Sequence, residues 1–124
     1  MRAQLSRNSD ILSVPPKLLA PTTTFSRRLQ AQRLVLKISQ MELGVRAGID
    51  ELSASGRVNQ YERGKHAPDN LTANRLAEVL NVPVAYLYCV EDDLADLLVG
   101  LHRAPSAKRR QVISEFMAQL RAGR

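Results

Sequence analysis

Two short segments decide the fold of this chain: Ser39-Gln40-Met41-Glu42-Leu43 and, about twenty residues later, Val58-Asn59-Gln60-Tyr61-Glu62-Arg63-Gly64-Lys65. In the first, a serine precedes a glutamate by three residues. This spacing is a capping box, in which the Ser39 hydroxyl accepts from the Glu42 amide and the Glu42 carboxylate bonds back to the Ser39 amide. In the second, Gly64 follows helix-spaced apolar positions, as a glycine just past a helix end does. The segments therefore predict the start of one helix and the end of the next.

The residues around these segments predict an all-α fold, because apolar residues recur at helical spacing and no segment alternates as a strand does. We expect the first three helices at about Phe25–Leu36 (capped by Thr24 or Ser26), from Ser39 to Gly48, and from near Ser53 to just before Gly64. A fourth follows Pro68, capped by Asp69 or Asn70, and a short fifth runs from Pro83 to Tyr88. Two amphipathic helices follow, divided at Pro105 with Ser106 as the cap of the second.

This pattern divides the chain into three parts. Residues 1–23 carry three prolines without sustained periodicity and are expected to be a flexible arm. Residues 24–90 hold the first five helices. Residues 91–124 form a C-terminal helical extension whose apolar stripes are Leu94, Leu97, Leu98 and Leu101, then Ile113, Phe116, Met117 and Leu120.

Composition argues against several classes of protein. No apolar run reaches the roughly 18–20 residues of a membrane span. The single cysteine, Cys89, and the lack of a signal-peptide core favour the cytoplasm. His66 and His102 lack ligand spacing, so neither a metal nor another cofactor is expected. Because no convergent titratable groups or glycine-rich phosphate loop occur, we do not expect an enzyme.

Charge is unevenly distributed along the chain. Net charge is +6 overall, but residues 24–68 carry +4, residues 69–100 carry −5 and residues 101–124 carry +5. A polyanion would be attracted to the first and last of these segments and repelled by the middle one.

The third predicted helix has one face suited to DNA. Ala54, Val58 and Tyr61 share an inward face. The outer face and flanks carry small, amide and guanidinium groups: Ser55, Gly56, Arg57, Asn59, Gln60 and Arg63. Asparagine and glutamine pair with adenine in the major groove, and arginine pairs with guanine. The helix therefore predicts double-stranded DNA as partner, although an ordinary solvated face is the alternative.

Residues 25–88 resemble the lambda-repressor/Cro-type (XRE-like) helix-turn-helix family in the order and spacing of several motifs. The matching residues are Phe25-x-x-Arg28-Leu29-x-x-x-Arg33, Ile38-Ser39-Gln40, Ala47-Gly48-Ile49, Glu62-Arg63-Gly64-Lys65, Pro68 and Leu76-Ala77-x-x-Leu80-Asn81-Val82-Pro83. The resemblance implies a five-helix domain that binds an operator as a homodimer, with residues of about 53–63 in the major groove. Transcriptional regulation, as a repressor, is the implied function.

The resemblance also implies roles for individual residues. Base reading falls to Ser55, Gly56, Arg57, Asn59 and Gln60, and phosphate contact to Ser39, Gln40, Arg63 and Lys65. Arg33 and Glu62 match a salt bridge that ties the first helix to the end of the third. Gln40 would also brace the recognition helix.

Two features depart from the family pattern. Residues 49–53 make the connection before the recognition helix about four residues longer than usual. They lengthen a helix end or form a wider loop, with Leu52 expected to fill the core. Gly56 stands where a long polar side chain often reads bases, and offers none.

The C-terminal extension has two interpretations. Leu94, Leu98, Leu101, Ile113, Phe116 and Leu120 are candidates for a dimer interface, or they extend the core of their own domain. Lys108-Arg109-Arg110 is expected to contact an acidic surface at 91–96 or DNA outside the groove. The alternative function is an antitoxin or coactivator-like module that uses the same fold to hold a protein partner.

Overall fold

The computed structural model describes residues 23–123, and this part of the chain is entirely helical apart from its connections. The helices are α1 (Thr24–Leu36), α2 (Gln40–Arg46), α3 (Glu51–Glu62), α4 (Asn70–Leu80), α5 (Val84–Tyr88), α6 (Asp92–Arg103) and α7 (Ser106–Ala122). The all-α prediction is confirmed. The arm predicted at residues 1–23 lies, except for Thr23, outside the described residues. Within the described range, no helix is both long enough and apolar enough to cross a membrane.

The starts of α1 and α2 follow from hydroxyl caps. Ser39 caps α2 as expected, its Oγ accepting from the Glu42 amide at 2.9 Å. The second half of the capping box is wrong, because the Glu42 carboxylate binds Arg46 one turn along the helix. The cap of α1 is Thr23, one residue before the positions predicted; its Oγ1 accepts from the Ser26 amide. Ser26 is instead buried, and its hydroxyl donates to the Tyr61 carbonyl of α3 at 2.8 Å.

The connection between α2 and α3 is short, so of the two predicted alternatives the structure has the lengthened helix end and not the wider loop. It consists of residues 47–50, with Gly48 at φ +90°, a conformation that glycine adopts without steric cost. Asp50 is the N-cap, because its carboxylate accepts from the Leu52 amide at 3.0 Å. Helix α3 therefore begins at Glu51, two residues before the start predicted near Ser53. The extra residues lengthen the N-terminal end of the recognition helix.

Leu52 does not fill the core, as had been expected. Its side chain is 96% exposed, whereas Ile49, in the connection itself, is buried. With the helix starting at residue 51, Leu52 precedes the buried Ala54 by two positions, which turns it about 200° around the helix axis from that residue. The early helix start thus removes Leu52 from the interior.

The hydrophobic core is formed by α1 to α5 and their connections, with one residue from α6. Its members are apolar side chains that helical spacing places on inward faces: Phe25, Leu29, Leu43, Ala47, Ile49, Ala54, Val58, Tyr61, Ala73, Leu76, Ala77, Leu80, Val82, Tyr86, Leu87 and Ala95. Helices α2 and α3 pack closely at Gly44. A Cβ atom there would lie 2.8 Å from the Ala54 Cβ, so the approach of the two helices requires glycine.

The C-terminal extension is only partly attached to this core. Helix α6 buries Ala95 and packs against α5, while α7 buries none of its residues. Ser106 is not the cap of α7; Pro105 occupies that position without a side-chain bond, and the Ser106 hydroxyl accepts from Arg109.

The basic cluster at residues 108–110 also differs from expectation at one position. Arg109 Nη1 donates to the carbonyl oxygens of Leu101, His102 and Ala104 at 3.3–3.4 Å. These bonds are to the end of α6 and not to residues 91–96, while contact of the cluster with DNA outside the groove stays a prediction. A cation is favourable there, because the last carbonyls of α6 carry the negative end of the helix dipole.

Candidate nucleic-acid interface

Helix α3 has an inward face that fixes it and an outward face that is open to solvent. Ala54, Val58 and Tyr61 are buried, as their spacing predicted. The candidate base readers Ser55, Gly56, Arg57 and Gln60 are exposed, and Asn59 is half-buried. A Cβ atom on Gly56 would meet no atom within 4 Å, so the outer face has a recess at that position.

The C-terminal end of α3 is held by a buried charge network on Glu62, which is only 1% exposed. Arg33 of α1 approaches with two nitrogens: Nε lies 2.6 Å from Oε2 and Nη2 lies 3.0 Å from Oε1. Side-chain amides of Gln30 and Gln40 donate to Oε1 at 3.4 and 3.1 Å. The structure thus brings together the predicted Arg33–Glu62 pair. Four hydrogen bonds compensate the burial of this carboxylate.

Gln40 lies behind the recognition helix rather than pointing outward. Its Nε2 donates to Glu62 and, at 3.3 Å, to the Asn59 side-chain oxygen. Since an amide nitrogen carries two hydrogens, both donors of this side chain are used within the protein. The side chain therefore braces α3. At the start of α2 the first backbone amides have no intrahelical acceptor, and that of Glu42 is bonded to the Ser39 hydroxyl.

Two candidate base readers are also oriented by neighbours. Arg57 donates from Nη2 to the Tyr61 hydroxyl at 2.9 Å, one turn along the helix. Asn59 accepts from Gln40, so its carboxamide oxygen is engaged and its orientation is set by the same network. Gln60 is exposed on the outer face. Unlike Arg57 and Asn59, it makes no side-chain hydrogen bond to another described residue.

The turn after α3 presents the remaining basic candidates. Gly64 has φ +73°, and the Lys65 amide donates to the Gln60 carbonyl at 3.0 Å, which closes the helix end. The Lys65 side chain is exposed and Arg63 is half-buried. Nearby, Asp69 caps α4, and the hydrogen bond from the Thr72 amide lowers the pKa of its carboxyl below the ordinary value. The turn thus carries the positive charges of Arg63 and Lys65, and the Asp69 carboxylate at the start of α4 follows it.

Sequence reasoning missed a second arginine with a structural role. Arg28, nearly buried on α1, donates to the carbonyls of Cys89 and Val90 at 2.9–3.1 Å and lies 2.9 Å from the Asp92 carboxylate. Hydrogen bonds from Arg28 and, to a smaller extent, from Arg27 lower the pKa of the Asp92 carboxyl. Arg28 was part of the family motif, but the carbonyls it binds are 61 and 62 residues away in sequence, so no local signal indicated them.

The six candidate dimer residues lie partly on the surface. Leu98 and Leu101 are half-buried. Leu94, Ile113 and Phe116 are 41–43% exposed, and Leu120 is 63% exposed. The interpretation in which both helices fold back to extend the core does not hold for α7. Its apolar side chains remain without a cover in the described part of the chain.

Comparison with known proteins agrees with this architecture. A helix-turn-helix family model matches residues 29–87. A solved structure titled as the transcriptional regulator BswR is similar at a TM-score of 0.70 with 44% sequence identity, covering 79% of this chain and 96% of that one. The likeness extends beyond the segment that the family model matches. No curated relative matched the sequence significantly. The chain belongs to the XRE-like helix-turn-helix family of DNA-binding regulators.

Proposed function

We propose that this protein is a sequence-specific regulator that binds double-stranded DNA with α3 in the major groove. The observation that carries the proposal is the contrast between the two faces of α3. One face is anchored by buried apolar residues and the Glu62 network, whereas the other presents Gln60, Arg57 and the Gly56 recess to solvent. A rigid helix whose outer face carries hydrogen-bonding groups is what direct readout in the major groove requires.

Base and phosphate contacts divide between α3 and its ends. Base reading is assigned to Ser55, Arg57, Asn59 and Gln60, with Gly56 permitting close approach of the backbone. Phosphate contact is assigned to Ser39, Gln40, Arg63 and Lys65. Because the side-chain amide of Gln40 donates internally, its contact to phosphate uses the backbone amide at the start of α2.

The test begins with selection of bound sequences from random DNA, followed by affinity measurements at several salt concentrations. Gln60→Ala should weaken binding to the selected site by about 1–3 kcal/mol and relax the preference at particular base pairs. Lys65→Ala is the matched control, since loss of a phosphate contact weakens all sequences alike and lowers the salt slope by about one. An unchanged consensus and affinity in Gln60→Ala would refute the placement of α3.

We further propose that the protein binds a near-palindromic operator as a homodimer through α6 and α7. The supporting observation is α7 itself: 17 residues with none buried, whose apolar residues Ile113, Phe116, Met117 and Leu120 recur at helical spacing. A second copy of the same stripe would cover it by two-fold symmetry, the commonest arrangement of soluble oligomers. The half-sites would then lie about one DNA turn apart, roughly 34–36 Å.

Sedimentation at micromolar concentration, free and on DNA, tests the dimer. Phe116→Glu should yield monomers and lower operator affinity without unfolding the protein, because Phe116 is 41% exposed. Val35→Glu on α1 is the matched control, since Val35 is also apolar and exposed but lies outside the stripe. A wild-type protein that is monomeric in both conditions would refute the interface. A stable complex with a different protein on this stripe would favour the antitoxin or coactivator-like function.

Repression is the simplest regulatory outcome of such binding, because an occupied site excludes other proteins from the same DNA. Transcription in vitro from a promoter that overlaps the selected site should fall as the protein is added. Increased transcription from that template would contradict a repressor.

A further inference from the structure

Leu52 is the most exposed large apolar side chain of the described residues, at 96%. It lies in the first turn of α3, directly after the Asp50 cap and Glu51. Leu52, Gly56 and Gln60 follow one another at intervals of four residues and so share the outward face of the helix. An apolar side chain thus leads the stripe on which the proposed base readers lie.

The surroundings of Leu52 select the kind of group it can meet. The N-terminal residues of a recognition helix in this class of motif are those that contact base edges. The neighbouring Gly56 has open space where a side chain would stand, which leaves a recess between Leu52 and Gln60. In the major groove, the C5 methyl of thymine is the apolar group that base pairs display.

We infer that Leu52 is a specificity-determining residue that reads thymine by packing against its C5 methyl group, with Gly56 leaving room for the base edge. The inference rests on the proposed placement of α3 in the major groove. It adds an apolar contact to a reading face that the sequence had suggested to be entirely polar. It also explains why the lengthened start of α3 carries a leucine that contributes nothing to the core.

Deoxyuridine tests this contact because it differs from thymidine only by the absence of the methyl group. Each thymine of the selected operator is replaced singly by deoxyuridine, and dissociation constants are measured for wild type and Leu52→Ala. Wild type should lose about fourfold in affinity at one thymine per half-site, the factor that corresponds to burial of one methyl group. Leu52→Ala should bind the two forms of that site equally well.

Leu71→Ala is the matched control, because Leu71 is an exposed leucine in the first turn of another helix, α4. It should keep the full sensitivity of wild type to deoxyuridine. Since both leucines are exposed, both variants should retain the wild-type circular dichroism spectrum and melting temperature.

The inference is overturned if wild type tolerates deoxyuridine at every position, or if Leu52→Ala remains as sensitive as wild type. It is equally overturned if Leu52→Ala weakens all sequences alike, which would make the contact a non-specific one. These outcomes differ from failure of the proposed function, in which wild type would show no preferred sequence on the thymine-containing DNA.

Discussion

Removing Arg33 while leaving Glu62 in place tests how the recognition helix is held. In Arg33→Met, the Glu62 carboxylate would keep only the amides of Gln30 and Gln40, because the 2.6 Å and 3.0 Å bonds to Arg33 are lost. Glu62 is 1% exposed, so water cannot replace the missing donors without opening the domain. Loss of one partner of a buried pair costs about 3–5 kcal/mol, a large part of a typical unfolding free energy of about 5–15 kcal/mol.

Urea denaturation followed by circular dichroism measures this cost. The exposed Arg46–Glu42 pair of α2 provides a matched control, because it too joins an arginine to a glutamate but lies at the surface. Arg46→Met should cost only about 0.3–0.5 kcal/mol. An Arg33→Met variant no less stable than Arg46→Met would refute the reasoning that burial makes the Glu62 network important.

A double-mutant cycle separates the pair from its surroundings. Arg33→Met combined with Glu62→Leu removes both charges, so the double variant should be more stable than Arg33→Met alone. It should nevertheless bind the operator poorly, because the charged link between α1 and the C-terminal end of α3 is then lost and the Ser26 bond to the Tyr61 carbonyl is left to hold that end. Wild-type affinity in a folded double variant would show that packing of Val58 and Tyr61 is enough to orient the helix.

Three further predictions concern stability. Gly44→Ala should destabilise the protein by about 1–2 kcal/mol, because overpacking against α3 outweighs a gain of about 1 kcal/mol in helix propensity. Gly56 lies in open space, so Gly56→Ala should show that gain alone; urea denaturation measures both variants. Lys37 ends α1 at φ +59°, so Lys37→Gly should stabilise the protein by about 0.5–1 kcal/mol, and a lower urea midpoint would contradict the left-handed geometry. Hydrogen bonding from Arg28 lowers the pKa of Asp92 in the folded state, so its stabilisation is present above the unfolded pKa and is lost as pH falls through the folded one. Asp92→Asn should therefore reduce the melting temperature near neutral pH, and this reduction should become smaller as pH falls below 3.8, the ordinary pKa of the group.

The helix starts show which features the sequence could predict. Ser39 and Asp69 cap helices where predicted, because the short-range geometry of an N-cap depends on only three or four residues. The same signal exists at Asp50, but the sequence-based prediction assigns residues 49–53 to a lengthened connection, with Leu52 in the core and the helix start near Ser53. In the structure α3 begins directly after the Asp50 cap, and Leu52 is exposed.

Contacts between distant segments were less accessible to prediction. The Arg33–Glu62 pair was anticipated only through the family resemblance. The resemblance also implied that Gln40 braces the recognition helix, as its bond to Glu62 does. The Arg28 contacts to the carbonyls before α6 and the Arg109 contacts to the end of α6 depend on helix orientations that periodicity does not specify. Periodicity defines which face of a helix is apolar, but not which partner covers it.

Helix α1 contacts both the recognition helix α3 and the chain that leads into α6. Through Arg33 it holds the C-terminal end of α3, and through Arg28 it holds the chain that leads into α6. The two arginines are five positions apart on one short helix, so both attachments share a single rigid element. In the proposed dimer, α6 and α7 set the distance between subunits, and α3 must meet half-sites at a fixed spacing. Removal of the Arg28 contacts should therefore impair binding to palindromic operators while leaving contact with one half-site intact. Arg33→Met should instead impair both kinds of binding.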